Sequence, residues 1–127
     1  MTTGVLPDNV RQFILKNIDS VPELELLLLL AERVSELGVA EAASRIYVDE
    51  SSSRLLLEGL TRRRLLAVAG DSPRYRFAPE DPQDEAFVRE VAQAYRLHLV
   101  AMANLIHSKA SGSVQEFARA FDLKKDR

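Results

Sequence analysis

Residues 38–79 carry the pattern that decides the fold, and they read GVAEAASRIYVDESSSRLLLEGLTRRRLLAVAGDSPRYRFAP. Small and apolar residues recur at helical spacing in 39–46 and predict a short helix there. A turn at 47–49 follows, in which the side chain of Asp49 can accept hydrogen bonds from the free amides of the next helix. That second helix is expected to cover 50–63.

Two β-prone segments, 65–69 and 74–78, follow the second helix. They flank the Gly-Asp-Ser-Pro cluster at 70–73, which favours a tight turn, so the pair predicts a hairpin. Arg74 and Arg76 alternate along the second strand and therefore point to one face of it. The order of elements is helix, turn, helix, hairpin.

Four groups of residues carry a resemblance to a known superfamily: Arg45-Ile46-Tyr47-Val48-Asp49, Leu57-x-x-Leu60, Arg62-Arg63-Arg64-Leu65-Leu66 and Arg74-Tyr75-Arg76-Phe77. In that order they resemble the winged helix-turn-helix superfamily of bacterial regulators, over roughly residues 22–79. The ends of the chain are similar to a group of small, uncharacterised bacterial winged-helix regulators, through Ile18-Asp19-Ser20-Val21 and Phe117-Ala118-x-Ala120-Phe121-x-Leu123-Lys124-Lys125. The resemblance implies a mainly α fold with a small β-hairpin wing.

Composition excludes several classes of protein. The chain has 127 residues, 46% of them hydrophobic, with a formal net charge of -2, which suits one domain with its own core and argues against disorder. It has no cysteine, so disulfides, cysteine-ligated metals and thiol nucleophiles are excluded. The first residues lack a basic segment and the longest apolar run is only 26–31. We therefore expect neither a signal peptide nor a membrane span, and a cytoplasmic protein.

Two helices are expected before the winged-helix pattern. The first covers 10–18, with Asp8 or Asn9 as its cap. The second runs over about 22–37 and ends at Gly38. Its leucine-rich run falls on more than one helical face, so this helix should be buried on two sides.

One long helix is predicted over 83–107, ahead of a short one at 114–123. Its apolar stripe is more than a monomer of this size is expected to bury, so we expect a homodimer. An intramolecular core helix is the alternative. The positions assigned to the dimer interface are Val91, Tyr95, Leu99, Met102 and Ile106. The chain then divides into an N-terminal helical arm (1–21), the winged-helix domain (22–79) and a C-terminal helical extension for dimerisation (80–127), within one compact unit.

The second helix of the winged-helix pattern is the candidate recognition helix. Leu57 and Leu60 mark its core side, because residues are about 100° apart around a helix. The residues assigned to DNA are Ser51, Ser52, Arg54, Glu58 and Arg62 in the major groove, Arg45 and Arg63 on phosphates, and Arg74 and Arg76 on the wing. Leu55 and Glu58 suit this face less well, since leucine can only touch a thymine methyl group and a carboxylate repels phosphate.

Charge is unevenly distributed along the chain. Residues 44–76 hold seven arginines and four acidic residues, a local charge of +3, so the remainder sums to -5. A basic module on an acidic support is typical of phosphate binding, although solvated surface arginines are the alternative. Arg64 stands where many winged helices have glycine. It must adopt a left-handed conformation at some cost, or the helix must exit differently.

These patterns predict a dimeric DNA-binding transcriptional regulator. The alternative is a winged helix that acts as a protein-interaction module, an adaptor that binds its partner through the face of Leu55 and Gly59. Catalysis finds little support, because His98 and His107 fall on opposite sides of a helix and cannot share a metal by helical spacing. The sequence also has no glycine-rich phosphate loop and no nucleophile–base pair. We therefore expect no enzyme, no cofactor and no metal.

Overall fold

The computed structural model describes residues 6–32 and 35–109. Within these residues the elements are, in chain order, α1 (Asp8–Asn17), α2 (Val21–Glu32), β1 (Leu37–Gly38), α3 (Val39–Ile46), α4 (Glu50–Arg62), β2 (Leu66–Ala69), β3 (Arg74–Phe77), α5 (Pro82–Leu97) and a last helical stretch over 99–109, here α6. This is a mainly α fold with a small antiparallel sheet, as the sequence predicts. The predicted helix at 114–123 lies outside the described residues.

Helix α2 is the centre of the molecule. Leu24, Leu26, Leu27 and Leu30 are each at most 1% exposed, and the helix contacts α3, α4, α5 and β3. The prediction that this helix is buried on two sides is confirmed. The prediction that it continues to residue 37 is wrong, because its last described helical residue is Glu32 and the chain is already a strand at 37–38.

The sheet has three antiparallel strands in the order β1-β3-β2. Leu66 pairs with Phe77 and Ala69 with Arg74 across the predicted hairpin, whose turn includes Gly70 at φ +93°. The hairpin is confirmed with slightly shorter strands. Strand β1 is an addition to the prediction: it pairs Leu37 with Tyr75, and at two residues it is too short to show a period in the sequence.

The helix-turn-helix forms as predicted. Tyr47 ends α3 in the left-handed region at φ 61°, and the Asp49 carboxylate accepts a hydrogen bond from the amide of Ser52 at 3.2 Å, which caps α4. The buried hydroxyl of Ser53 donates to the carbonyl of Val39 at 2.9 Å and joins the two helices. Leu57 is fully buried, so the inner face of α4 is the predicted one.

Arg64 adopts the left-handed conformation, at φ 65°, so the exit of α4 resembles the one that glycine provides elsewhere. Helical angles continued from Leu57 and Leu60 predict this side chain on the core side of the helix, but it is exposed and its guanidinium pairs with Glu80 at 2.6 Å. The reason is that the helix ends at Arg62, so helical angles no longer apply two residues later. The carbonyl of Arg64 also accepts from the amide of Glu80 at 2.9 Å.

Helix α1 begins earlier than predicted. Pro7 occupies the cap position with no side-chain cap hydrogen bond, and Asp8 is already helical. Neither Asp8 nor Asn9 therefore occupies the cap position, although the side-chain oxygen of Asn9 accepts from the first-turn amide of Val10 at 3.0 Å. Asp8 lies in the first turn, where a carboxylate favours the positive end of the helix dipole.

The long C-terminal helix is two helices, and this corrects the prediction of one. Helix α5 ends at Leu97, and His98 has φ -138° and ψ 55°, outside the helical region. After this break Met102 and Ile106 are fully buried, as is Val91 before it.

No helix in the part of the chain that the structure describes is long and apolar enough to cross a membrane.

An ion-pair cluster joins three distant parts of the fold. Asp19, between α1 and α2, accepts hydrogen bonds from the Arg63 guanidinium at 2.6 Å and the Lys109 ammonium at 2.9 Å. The Lys109 ammonium also donates to the carbonyl of Ile18 at 2.8 Å. The bond from Lys109, followed by the bond from Arg63, lowers the pKa of Asp19. The cluster thus fastens the ends of α4 and α6 to the corner between α1 and α2.

Burial of Met102 predicts a large loss of stability on truncation. We expect Met102→Ala to lower the free energy of unfolding by about 2–5 kcal/mol, because it removes buried apolar contacts and leaves a cavity. The control is Leu55→Ala, at an exposed position, expected to stay within about 0.5 kcal/mol of wild type. Urea unfolding of both variants is the measurement, and equal stabilities would contradict the packing of α6.

The lowered pKa of Asp19 predicts a pH-dependent contribution to stability. Because the folded pKa lies below the ordinary value of 3.8, the contribution is complete above that value and is lost as the pH falls through the folded pKa. The difference in unfolding free energy between wild type and Asp19→Asn should therefore shrink below about pH 4. Urea unfolding at pH 6, 4 and 3 measures it, with Asp71→Asn on the wing turn as the control. A difference that is the same at all three pH values would count against the cluster.

Candidate nucleic-acid interface

The outward side of α4 is lined by four residues, which we call the outer line: Ser51, Leu55, Glu58 and Arg62. They lie opposite the buried residues Ser53, Leu57 and Leu60, which are 0% exposed. Three members of the outer line are exposed and Glu58 is half-buried. The structure therefore brings together four sequence-selected residues on one side of one helix.

Ser52 differs from its neighbours because it is part of the helix cap. Its hydroxyl donates to Asp49, whose other carboxylate oxygen accepts from the Ser52 amide. These bonds from Ser52 lower the pKa of Asp49, and the serine is half-buried. Its hydroxyl proton is therefore already used within the protein.

Four of the assigned arginines are exposed and form no ion pair or hydrogen bond with the residues that the structure describes: Arg45, Arg54, Arg62 and Arg76. They belong to the end of α3, to α4 and to the middle of β3. Unpaired guanidinium groups remain available to anionic ligands, and each offers a planar set of donors that fits phosphate.

Arg74 is held by the protein itself. Its guanidinium pairs with Glu36 at 3.4 Å and with Glu41 at 3.0 Å, and it donates to the carbonyl of Glu36 at 3.0 Å. Arg76 lies on the same face of β3, as the alternation predicts, and has no such partners among the described residues. Arg74 therefore fastens the wing to the residues at the start of α3.

Arg63 is also held by carboxylates. Besides Asp19 it pairs with Glu23 at 3.2 Å, and its side chain is 28% exposed. Partial burial opposes the charged form, but the hydrogen bond to Asp19 and the charge of Glu23 outweigh it and raise the pKa of Arg63. The two carboxylates offset the positive charge at this end of α4.

Gly59 lies against the start of α2. A Cβ atom at this position would be 3.5 Å from the Oε2 atom of Glu23, and Glu23 is only 5% exposed. The close approach that the glycine permits is therefore that of a carboxylate of the same chain. Leu55 and Gly59 therefore do not share one face as expected, because Leu55 points outward and is 68% exposed whereas Gly59 lies against Glu23.

The interface positions expected for a dimer are only partly accessible. Val91, Met102 and Ile106 are fully buried in the chain's own core, so they leave no surface for a second copy. Tyr95 is half-buried and donates to Glu25 at 3.0 Å, and burial together with this bond raises its pKa to about 12. Of the five, Leu99 is the exposed residue.

The largest exposed apolar residues of the C-terminal region lie at the helix break. Leu97, Leu99 and Val100 are 66%, 54% and 70% exposed. The sequence shows no sign of a break at His98, so helical periodicity predicts one continuous helix. In that prediction Leu97, Leu99 and Val100 are spread along the helix, whereas in the structure they lie at the corner between α5 and α6.

The side chains that could bind a metal ion are dispersed in the part of the chain that the structure describes. Within 6–32 and 35–109 no three His, Cys, Asp or Glu side chains are grouped so that they could hold a metal ion. A groove of about 370 Å³ lies between α2, the end of α3 and α5, with Leu28, Ile46 and Tyr95 among its lining residues. It is open to solvent.

The ion pairs of Arg63 and Arg74 are what sequence reasoning missed at this interface. Their partners Asp19 and Glu36 are 44 and 38 residues distant in the chain. Such pairs leave no local signal, because only the folded arrangement of α2, α4 and the wing brings them together.

Solved structures of bacterial regulators share this fold. A MarR-family transcriptional regulator from Rhodococcus matches with a TM-score of 0.54 and 17% identity, over 90% of this chain and 85% of that one. A MarR-family protein from Bacillus stearothermophilus has a TM-score of 0.51 and 20% identity, over 92% and 80%. The adhesin competence repressor from Streptococcus pyogenes has a TM-score of 0.54 and 13% identity, over 88% and 84%.

Other comparisons add little. Human N-acetylserotonin methyltransferase is 30% identical over 54% of this chain, but the chain spans only 19% of that protein and the TM-score is 0.41, so the match carries no argument. No protein-family model matches the sequence, and a search of curated proteins finds no match. The structural likeness establishes the fold: the chain has the winged helix-turn-helix fold that is also found in MarR-family regulators.

Proposed function

We propose that this protein binds duplex DNA as a transcriptional regulator, with α4 in the major groove and the hairpin wing beside it. The observation that carries the proposal is that Arg54 and Arg62 are exposed on α4 and have no carboxylate partner among the described residues. The names of the structural neighbours support it, since two of them are a transcriptional regulator and a repressor.

The ion pairs suggest how the nine assigned residues divide the work. Ser51, Arg54, Glu58 and Arg62 would face base edges and nearby phosphates, while Arg45 and Arg76 would contact phosphates at the sides. Arg63 and Arg74 would hold α4 and the wing in position, because a phosphate would first have to displace two carboxylates from each of them. Ser52 would act through the helix cap.

Binding to random-sequence duplex DNA at several salt concentrations, followed by fluorescence anisotropy, tests the proposal. Phosphate contacts release counterions, so the logarithm of the association constant should fall linearly with the logarithm of the salt concentration, by about 0.9 per contact. Absence of binding even at low salt would overturn the proposed function.

A set of single substitutions separates contact from support. Arg54→Ala, Arg62→Ala and Arg76→Ala should each reduce the salt slope by about one while leaving the stability close to that of wild type. Arg74→Ala and Arg63→Ala are the matched controls, expected to lower the urea midpoint and to keep the slope. Reversed behaviour of the two groups would show that the held arginines, and not the unpaired ones, contact DNA.

The second candidate function is a protein-interaction module. Tyr47 is 93% exposed at the turn before α4, and Leu55 is 68% exposed on the outer line, so two large apolar side chains face solvent close to the same helix. Gly59, the other residue expected on that surface, is half-buried and lies against Glu23. Absence of duplex binding at every salt concentration in the DNA experiment would favour this candidate.

For the C-terminal extension we propose homodimerisation through the corner of Leu97, Leu99 and Val100. These side chains are exposed within a short stretch at the break between α5 and α6, and exposed apolar clusters mark contact surfaces. In a dimer two copies of α4 would meet half-sites about one helical turn of DNA apart.

Substitution at the corner tests the dimer. We expect wild type to sediment as a dimer and the double variant Leu97→Glu/Val100→Glu to sediment as a folded monomer, because the introduced charges oppose burial. Leu15→Glu, at an exposed leucine of α1, is the control and should leave the mass unchanged. A monomeric wild type, or a double variant that stays dimeric, would contradict the proposal.

A further inference from the structure

One apolar side chain stands at the middle of the outer line. Leu55 is 68% exposed, whereas Leu57 and Leu60 of the same helix are fully buried. Its neighbours along the outer line are Ser51, one turn before it, and Glu58, one turn after it. The helix therefore presents one isolated hydrocarbon surface between polar groups, at the position nearest the centre of its outward side.

The major groove offers few partners for such a side chain. Phosphates, base nitrogens, carbonyl groups and amino groups are all polar, and the C5-methyl group of thymine is the apolar group displayed there. A leucine that approached any other base edge would remove water from polar groups without replacing their hydrogen bonds.

Docking of a protein partner on this line is less well supported. A groove that accepts a helix usually holds apolar anchors at successive turns, but the outer line carries serine, leucine, glutamate and arginine in order. Leu55 is the one apolar residue of the outer line, and the exposed Tyr47 lies off this line at the turn before the helix.

We propose that Leu55 is a specificity-determining residue that selects thymine through contact with its C5-methyl group. The inference rests on the proposed function, because it requires α4 to lie in the major groove. Polar members of the outer line would read or tolerate the neighbouring bases, while Leu55 makes one position of each half-site a thymine.

Replacement of thymine by deoxyuridine tests this contact directly, since the two bases differ only in the methyl group. Duplexes enriched from a random pool by the wild-type protein supply the probe, and each thymine is replaced in turn. At one thymine of each half-site the affinity should fall about fourfold, the effect of burying one methyl group. Leu55→Ser should lose this difference, and Leu55→Met, which keeps an apolar side chain, should retain most of it. Leu15→Ser is the control and should behave as wild type.

The outcomes separate this inference from the proposed function. If the protein shows no salt-dependent binding to any duplex, the proposed function fails and this inference fails with it. Salt-dependent binding in which no sequence is enriched, or in which every deoxyuridine substitution is neutral, overturns the role of Leu55 and leaves DNA binding intact. The role of Leu55 is likewise overturned if Leu55→Ser keeps the wild-type response to deoxyuridine.

Discussion

The rest of the structure depends on one constraint, which is that apolar side chains lie on nearly every side of α2. A helix with leucine on nearly every side must be covered on nearly every side, and the molecule is arranged around that need. Helices α3 and α4 and strand β3 cover one part of α2, and α5 covers another. In the first turn of α2, Glu23 forms an ion pair with Arg63. Because α4 packs on this fixed support, its outward side has one orientation relative to the wing.

The arginines of residues 44–76 divide into those with carboxylate partners and those without a partner among the described residues. Three arginines of residues 44–76 have carboxylate partners and lie where elements meet: Arg63 joins α4 to α2, Arg64 pairs with Glu80 after the wing, and Arg74 joins the wing to the start of α3. The other four arginines of this segment have no such partner among the described residues and lie on outward surfaces of α3, α4 and β3. A positive local charge in the sequence is therefore an overestimate of the charge on the folded surface, because part of it is neutralised by acidic residues from outside the basic segment.

Local patterns were sufficient for the helix-turn-helix and the wing. The Asp49 cap, the buried Leu57 and the turn at Gly70 are each encoded within a few residues of where they act, so the sequence alone predicts them. Strand β1 and the break at His98 depend on tertiary contacts. Strand β1 forms by pairing with the edge of β3. The break occurs at a histidine, and not at a proline or glycine that would indicate a kink in the sequence. The same distinction between local patterns and tertiary contacts holds for the candidate interface. Helical angles predict the outer line, but no local pattern predicts the carboxylate partners of Arg63 and Arg74.

The left-handed backbone at Arg64 has a consequence for how this sequence can vary. Every residue with a Cβ atom is strained at φ 65°, and branching at Cβ adds to the strain. An arginine at this position forms an ion pair with Glu80, which a glycine could not form. Evolution therefore has two compatible solutions at this corner, a flexible residue without a side chain or a long cation matched to an acid sixteen positions later. Valine, isoleucine and threonine belong to neither and should be missing from this position in relatives, and a glycine here should free residue 80 to be any polar amino acid.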